Sequence, residues 1–156
     1  MKTVEMPKVV EPMSQKMAVQ FPYKHSTGEV TGRFLAGLKE QKKIWGRRVS
    51  QQGVVVPPQA FSEVDAKEGG EWVAVANAGT VTAVAEVTQP VEGLHTSKSP
   101  FAFVLVKLDG ADTALAHIVT DDLDQLKVGC RVEAVWAADE QRTGTIRDIA
   151  CFRVVR

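Results

Sequence analysis

The chain has 156 residues, a formal net charge of zero and an apolar fraction of 44%. This length accommodates one domain, or one domain with a smaller module, and the composition suits a protein that buries a core. The balanced charge gives no overall field toward nucleic acid or an anionic membrane. No apolar run approaches the roughly 20 residues of a membrane span.

The N-terminal residues and the cysteines bear on the cellular compartment. Residues 1–25 mix prolines, methionines and charges without a period, which predicts an extended N-terminal arm. They lack the continuous apolar core of a signal peptide. Cys130 and Cys151 are the only cysteines and lie in predicted strands, which favours buried thiols over a secreted disulfide scaffold. We therefore predict a cytoplasmic protein without a membrane contact.

Residues 26–45 are predicted to form a helical docking segment. Ser26 and Glu29 have the spacing of a capping box at its start. Apolar residues recur at helical spacing, and they are Val30, Phe34, Leu35 and Leu38. We expect this stripe to form an interface with a partner protein, because the strands that follow should supply their own core.

Residues 46–78 are predicted to form a small module of short β-like pieces. Its apolar segments read GVVVPP and EWVAVAN, and IWGRRV begins just before them. Polar turns separate these pieces.

Residues 79–156 are predicted to form a five-stranded barrel. The predicted strands are Gly79–Val87, Phe101–Leu108, Thr113–Val119, Arg131–Trp136 and Ile146–Val155. The second and third strands read as a hairpin, and the second is apolar enough to be buried on both faces. Thr120–Lys127 has polar caps and early acids, which predicts a short helix. A helix between the third and fourth strands is typical of an OB-type barrel, so the fold is expected to be mainly β.

Side chains that could carry chemistry are interpreted as structural. None of the serines lies in a nucleophile elbow, and neither cysteine lies beside a histidine or a helix N-terminus that would activate it. His117 is predicted to lie at the rim of a strand. Asp121, Asp122 and Asp124 are expected to cap the short helix rather than to bind a metal. No catalytic residue is recognised, so an activity of the isolated chain stays open.

The order of the apolar segments resembles a known family. The segments are KIWGRR, GVVVPP, EWV, GTVTAVAEV, PFAFVLVKLDG and LKVGCRVEAVW, over about residues 30–155. They are similar to the acyl-CoA-associated family in which a rubredoxin-like zinc ribbon precedes an OB fold. The resemblance implies a second subunit for thiolases, for hydroxymethylglutaryl-CoA synthase-like enzymes or for MaoC-type hydratases.

The chain departs from this family at the zinc ligands. The resemblance places two CxxC pairs on Val49 and Gln52 and on Ser62 and Asp65. Tetrahedral zinc needs four nitrogen or sulfur ligands, and none of these residues is a thiolate. We predict a degenerate, metal-free ribbon without zinc. Packing is expected to hold it, through Ile44, Trp45, Val54, Val56, Phe61 and Trp72.

A basic cluster runs from the end of the predicted helix into the predicted ribbon. It consists of Lys39, Lys42, Lys43, Arg47 and Arg48. Arginine and lysine pair well with phosphates, and coenzyme A carries three of them. The resemblance implies that this region approaches a partner's acyl-CoA site. Arg47, Arg48 and Lys43 are therefore candidate contacts to the phosphates of a CoA thioester at the interface, and solvation at a helix end is the alternative.

Three classes of function remain after these observations. The first is a non-catalytic accessory subunit of a thiolase-type acyl-CoA enzyme, in a hetero-oligomer, with MaoC-like and hydroxymethylglutaryl-CoA synthase-like partners as alternatives. The second is a single-strand nucleic-acid-binding protein, which would need basic residues and exposed aromatics on the second and third barrel strands. The third is an enzyme that acts alone. The resemblance favours the first class, with no nucleic-acid partner and with no cofactor bound by this chain alone.

Overall fold

The computed structural model describes residue 14, residues 17–93, residue 95 and residues 99–155. Most of the predicted arm, residues 1–13, 15 and 16, lies outside the described residues. Residues 17–27 are in neither a helix nor a strand, and all of them are exposed. No helix in the described part of the chain is long and apolar enough to cross a membrane.

One helix precedes the sheets. Helix α1 spans Gly28–Ala36 and continues as a π-helical turn over Gly37–Gln41. Lys42, with φ of 49°, adopts a left-handed conformation that ends the turn. A side chain at Gly37 would collide with the indole ring of Trp45, so a glycine lets the turn lie against the next strand.

The predicted capping box does not form. Thr27 occupies the position before the helix, and no side chain caps the first turn. Gly28 has φ of +72°, so the chain enters α1 through a left-handed residue. The Ser26 hydroxyl instead accepts a hydrogen bond from the Gly28 amide at 3.3 Å.

The module after the helix is a three-stranded antiparallel sheet. Its strands are β1 (Ile44–Val49), β2 (Gly53–Val55) and β3 (Trp72–Val75), in the order β2-β1-β3. Residues 56–71 connect the outer strands, and the one bridge recorded in this connection pairs Phe61 with Glu68. The β-like pieces predicted for this region are therefore strands of one sheet.

The predicted five-stranded barrel is confirmed. Its strands are β4 (Ala78–Val87), β5 (Phe101–Leu108), β6 (Leu115–Val119), β7 (Arg131–Trp136) and β8 (Ile149–Val154). They close in the order β4-β5-β6-β8-β7, as in an OB fold. Short 3-10 turns over Asp139–Gln141 and Ile146–Asp148 precede β8.

Two predictions for the barrel are wrong. Thr120–Lys127 forms turns rather than a helix, because Asp122 has φ of 52° and the Leu126 amide bonds only as far back as the Leu123 carbonyl. Strand β5 is buried on one face only. Phe103 and Leu105 point outward and are 48% and 41% exposed.

A single hydrophobic core joins the helix, the small sheet and the barrel. Phe34 and Leu38 enter it from the helical segment, and Ile44, Val54, Val56 and Val75 enter it from the small sheet. The barrel contributes most of the remaining residues, among them Leu108, Leu115, Ile149 and Phe152. The π-helical turn also contacts the 3-10 turn Ile146–Asp148 of the barrel.

A polar clamp fastens the outer edge of β2 to the turn that follows β5. The Val54 amide donates to the Asp112 carboxylate at 2.7 Å, and the Asp112 amide donates to the Val54 carbonyl at 2.8 Å. Thr113 Oγ1 accepts from the Val56 amide at 2.8 Å and donates to its carbonyl at 3.0 Å. Two barrel residues thus bond to β2 much as a fourth strand would.

Candidate partner-binding surface

An apolar strip crosses the outer face of three barrel strands. The backbone register places Leu105 between Ala83 and Ala116, and Phe103 between Ala85 and Ile118. Two apolar rows therefore run side by side across β4, β5 and β6. We call these residues the apolar strip, and they are Ala83, Ala85, Phe103, Leu105, Ala116 and Ile118.

The apolar strip continues into a groove between β6 and β8. These strands pair only at Val119 and Phe152, so they diverge toward the other end of β6. The space between them is about 430 Å³, and Ile146, Ile149 and Ala150 line its far side. An exposed apolar surface with a concave border is typical of a binding site for another protein or a ligand.

His117 lies at the groove and joins its two sides. Its Nε2 atom lies 3.3 Å from the Ile146 carbonyl oxygen, and its ring packs edge-on against Phe152 at 5.5 Å. Burial lowers the pKa of His117, because the charged imidazolium loses its hydration there. Nδ1 is buried and has no hydrogen-bond partner among the described residues. His117, predicted at the rim of a strand, is therefore half-buried.

The described part of the N-terminal arm is a second exposed apolar surface. Met17, Val19, Phe21 and Tyr23 occupy alternate positions, and their exposures range from 59% to 83%. No helix or strand includes them. Large apolar side chains this exposed mark a protein-interaction segment when they occur together.

The stripe predicted as a partner interface is largely internal. Phe34 and Leu38 are 3% and 0% exposed and belong to the chain's own core. The expectation that the stripe packs against a partner rather than against this chain is wrong for these two residues, because α1 packs against β1 and the π-helical turn contacts the barrel. Val30 and Leu35 are half-buried, and only they could still reach a partner.

The structure also separates the residues of the basic cluster. The Arg47 guanidinium is buried, where it donates to the carbonyls of Gly70 at 3.2 Å and Ala60 at 3.3 Å and pairs with Glu68 at 3.5 Å. This contradicts the expectation that Arg47 contacts a CoA phosphate. Arg48 and Lys43 are exposed and stay candidates.

Two cations in this region, Arg33 and Lys43, lie against aromatic rings. The Arg33 guanidinium lies 4.4 Å from the centre of the Trp72 ring, and Lys43 Nζ lies 5.1 Å from that of Trp45. A cleft of about 350 Å³ opens beside Trp72 and the start of α1. The carboxylates of Glu29 and Glu68 line it, and they would repel a phosphate.

Neither cysteine is placed as a nucleophile. Cys151 lies in β8 opposite Val135, and Cys130 precedes β7, so the two are not cross-strand neighbours. Both are free thiols. Groups of three or more His, Cys, Asp and Glu that could hold a metal ion are absent from the described residues.

Comparison with known families finds a match to most of the barrel. Residues 72–137 match the family model of the ChsH2 C-terminal OB-fold domain. The match spans β3 to β7 and covers less than half of the chain. No curated protein matches the chain.

Solved structures agree with this ChsH2-like barrel. A DUF35-family protein of unknown function from Sulfolobus solfataricus is similar over 70% of this chain and 79% of its own, with a TM-score of 0.55 and 23% identity. A chain of the Ltp2-ChsH2(DUF35) aldolase is similar over 84% of this chain and 95% of its own, with a TM-score of 0.57 and 16% identity. At these identities the likeness shows a shared fold.

The outer face of the ChsH2-like barrel was missed by reasoning from the sequence. Phe103 and Leu105 alternate in the sequence with the core residues Val104 and Val106, so β5 reads as a continuous apolar run. Such a run is typical of a strand that is buried on both faces. Lys107, the next outward position, was the signal that this face is open to solvent.

Proposed function

We propose that this chain is a non-catalytic accessory subunit of a thiolase-type acyl-CoA enzyme, and that it docks on the catalytic subunit through the apolar strip. The match of the barrel to the ChsH2 domain carries the proposal. The likeness to the Ltp2-ChsH2(DUF35) aldolase supports an enzyme as the partner. The resemblance read from the sequence supports the acyl-CoA class.

The apolar strip is costly to leave in water, and this cost favours docking. Phe103 and Leu105 stand at its centre with nearly half of their surface exposed. Removing apolar surface from water contributes about 25 cal/mol per Å². The flanking alanines are small, so a partner's larger side chains can reach between the rows and pack against these two residues.

A CoA thioester belongs to the interface in this proposal rather than to this chain alone. Of the three candidate contacts to its phosphates, Lys43 and Arg48 are the two that are exposed. Arg48 lies 4.0 Å from Glu71, a long and solvent-exposed ion pair that a phosphate can replace at little cost. Arg47 supports the strand that presents Arg48.

Co-expression with a candidate thiolase-like catalytic subunit tests the proposal. Leu105→Asp places a charge in the apolar strip and is expected to weaken the complex by about 2 kcal/mol or more, roughly thirtyfold in Kd. The measurement is co-purification followed by titration calorimetry. Arg48→Glu should leave the complex assembled and raise the KM for the CoA ester.

Val128→Asp is the matched control for Leu105→Asp. Val128 is 62% exposed and lies outside the apolar strip, so the same substitution there should leave the complex intact. Circular dichroism should show both variants folded. A stable complex with a MaoC-like hydratase or a hydroxymethylglutaryl-CoA synthase-like enzyme instead would replace the thiolase assignment. A complex that Leu105→Asp leaves unchanged would contradict the docking face.

A further inference from the structure

The two predicted ligand pairs of the ribbon lie next to each other in the fold. Val49 ends β1, and the Gln52 amide donates to its carbonyl at 3.1 Å in the turn that leads to β2. Ser62 lies across from this turn, since its Oγ donates to the Ser50 carbonyl at 3.1 Å. The turn after β1 and the segment that begins at Ser62 are therefore in contact.

The side chains at these positions do not fit zinc. Val49 has no donor atom, and it is 2% exposed without belonging to the main core. Ser62 is 3% exposed, and its hydroxyl already makes several hydrogen bonds. A hydroxyl that donates to a carbonyl has no charge to offer a divalent ion. Zinc sites in proteins use thiolates, imidazoles and carboxylates.

Ser62 organises the second knuckle from its buried position. Its Oγ accepts from the amides of Val64 at 3.2 Å and Asp65 at 3.4 Å, and it donates to the Ser50 carbonyl. A serine hydroxyl that bonds to amides two and three residues later fixes a turn locally. One hydroxyl therefore shapes the second knuckle and ties it to the first.

Asp65 makes the second connection between the knuckles. Its Oδ2 atom accepts from the Ser50 hydroxyl at 2.9 Å and lies 3.0 Å from Lys67 Nζ. Its Oδ1 atom accepts from the Lys67 amide at 3.3 Å. The Asp65 side chain is only 17% exposed. Hydrogen bonds to an ionised group are about twice as strong as those between neutral groups.

Arg47 holds residues 56–71 against β1. It reaches under residues 56–71 from β1 and bonds to the carbonyls of Ala60 and Gly70. A Cβ atom at Gly69 would lie 2.9 Å from Arg47 Nε, so the chain passes directly over the guanidinium. A buried cation and a buried hydroxyl thus fasten this segment to β1 and to the turn after it.

We propose that a hydrogen-bonded staple made by Ser50, Ser62, Asp65 and Lys67, together with the Arg47 anchor, replaces the metal of the ribbon. The module folds without zinc for this reason. The four ligand positions still converge, so cysteines placed at them restore a metal site. The packing predicted from the sequence contributes through Ile44, Val54 and Val56, whereas Phe61 is 58% exposed and contributes little.

The first experiment measures the metal and the staple in the full chain. Purified protein should contain far less than one zinc per chain, and a chelator should leave Tm unchanged. Ser62→Ala and Asp65→Asn should each lower Tm by about 5 °C. Ser62→Ala leaves the Ser50 carbonyl and two amides without this partner, and Asp65→Asn removes the charge that strengthens the bonds to Ser50 and Lys67. Asp124→Asn, at an exposed turn aspartate, should leave Tm unchanged. Stoichiometric zinc, or a Tm that falls with the chelator and not with these substitutions, would overturn the proposal.

The second experiment restores the metal site. The variant Val49→Cys, Gln52→Cys, Ser62→Cys and Asp65→Cys should bind one Co²⁺ with the absorption bands of tetrahedral thiolate coordination, and zinc should displace it. The unmodified chain, with Cys130 and Cys151 present, is the control and should show no such bands. A folded variant that binds no metal would show that the four positions do not converge. If the variant fails to fold, the Ser62→Ala and Asp65→Asn result still decides whether the staple holds the module.

Discussion

Arg47 and Arg48 are neighbours in the chain, but Arg47 is buried and Arg48 is exposed. Successive side chains of a strand point to opposite faces, so β1 buries Arg47 beneath the connection to β3 and leaves Arg48 in solvent. Burial of a guanidinium is tolerated because two carbonyls and a carboxylate surround it. The same residue type therefore supports the fold at one position and lies exposed at the surface at the next.

His117 should make the stability of the fold pH-dependent. Burial lowers its pKa below the value of about 6.5 that it has in an unfolded chain. The unfolded state therefore binds more protons, and the free energy of unfolding should fall as the pH drops below 6.5 toward the folded pKa. His117→Gln should flatten this part of the curve, measured by urea denaturation between pH 7.5 and pH 5.

The exposed His25 provides the control for this prediction. His25→Gln should keep the pH dependence of the unmodified chain over the same range. An identical slope in the His117→Gln variant and the unmodified chain would mean that the imidazole is not desolvated in the folded state.

At the scale of elements, α1 is part of the fold rather than a free docking arm. Phe34→Ala removes a ring that is 3% exposed and should cost about 3–5 kcal/mol of unfolding free energy. Urea denaturation measures this loss. Thr31→Ala on the exposed side of α1 should cost less than about 0.5 kcal/mol. A loss of under about 1 kcal/mol for Phe34→Ala would contradict the packing of α1.

The strands could be predicted from the sequence where local signals were complete. Phe101–Leu108 and Arg131–Trp136 have the predicted bounds, since apolar and β-branched residues fill them and turns bound them. Thr120–Lys127 was misread because capping residues indicate a helix only if the backbone stays right-handed, and Asp122 does not. That conformation depends on how the segment joins β6 to β7.

The candidate sites could be predicted only in part, for a similar reason. The outward position of Phe103 and Leu105 depends on which face of the barrel is closed, and in β5 only Lys107 indicates that this face is open. The staple joins Ser50 to Asp65 across 15 positions, and no local pattern links such residues. The resemblance pointed to the positions of the knuckles, but their contacts needed the fold.

At the scale of the whole molecule, the surface does not favour nucleic acid. The net charge is zero, and the outer face of β4, β5 and β6 offers Phe103 as its one exposed aromatic ring among the described strand residues, since Phe101 beside it is buried. Binding of a single strand needs cations along a groove and several stacking rings. We expect a Kd for a 20-nucleotide oligo-dT above about 100 μM at physiological salt, by fluorescence anisotropy. Saturable micromolar binding that weakens with salt would favour the nucleic-acid class.

The clamp between β2 and the turn after β5 has a consequence for the behaviour of the protein at high concentration. A strand at the end of a sheet offers unpaired amides and carbonyls to other chains, and this is a common origin of aggregation. Asp112 and Thr113 occupy those groups on Val54 and Val56. The barrel thereby shields this edge of the small sheet, so a second copy of the chain cannot add a strand to β2 there.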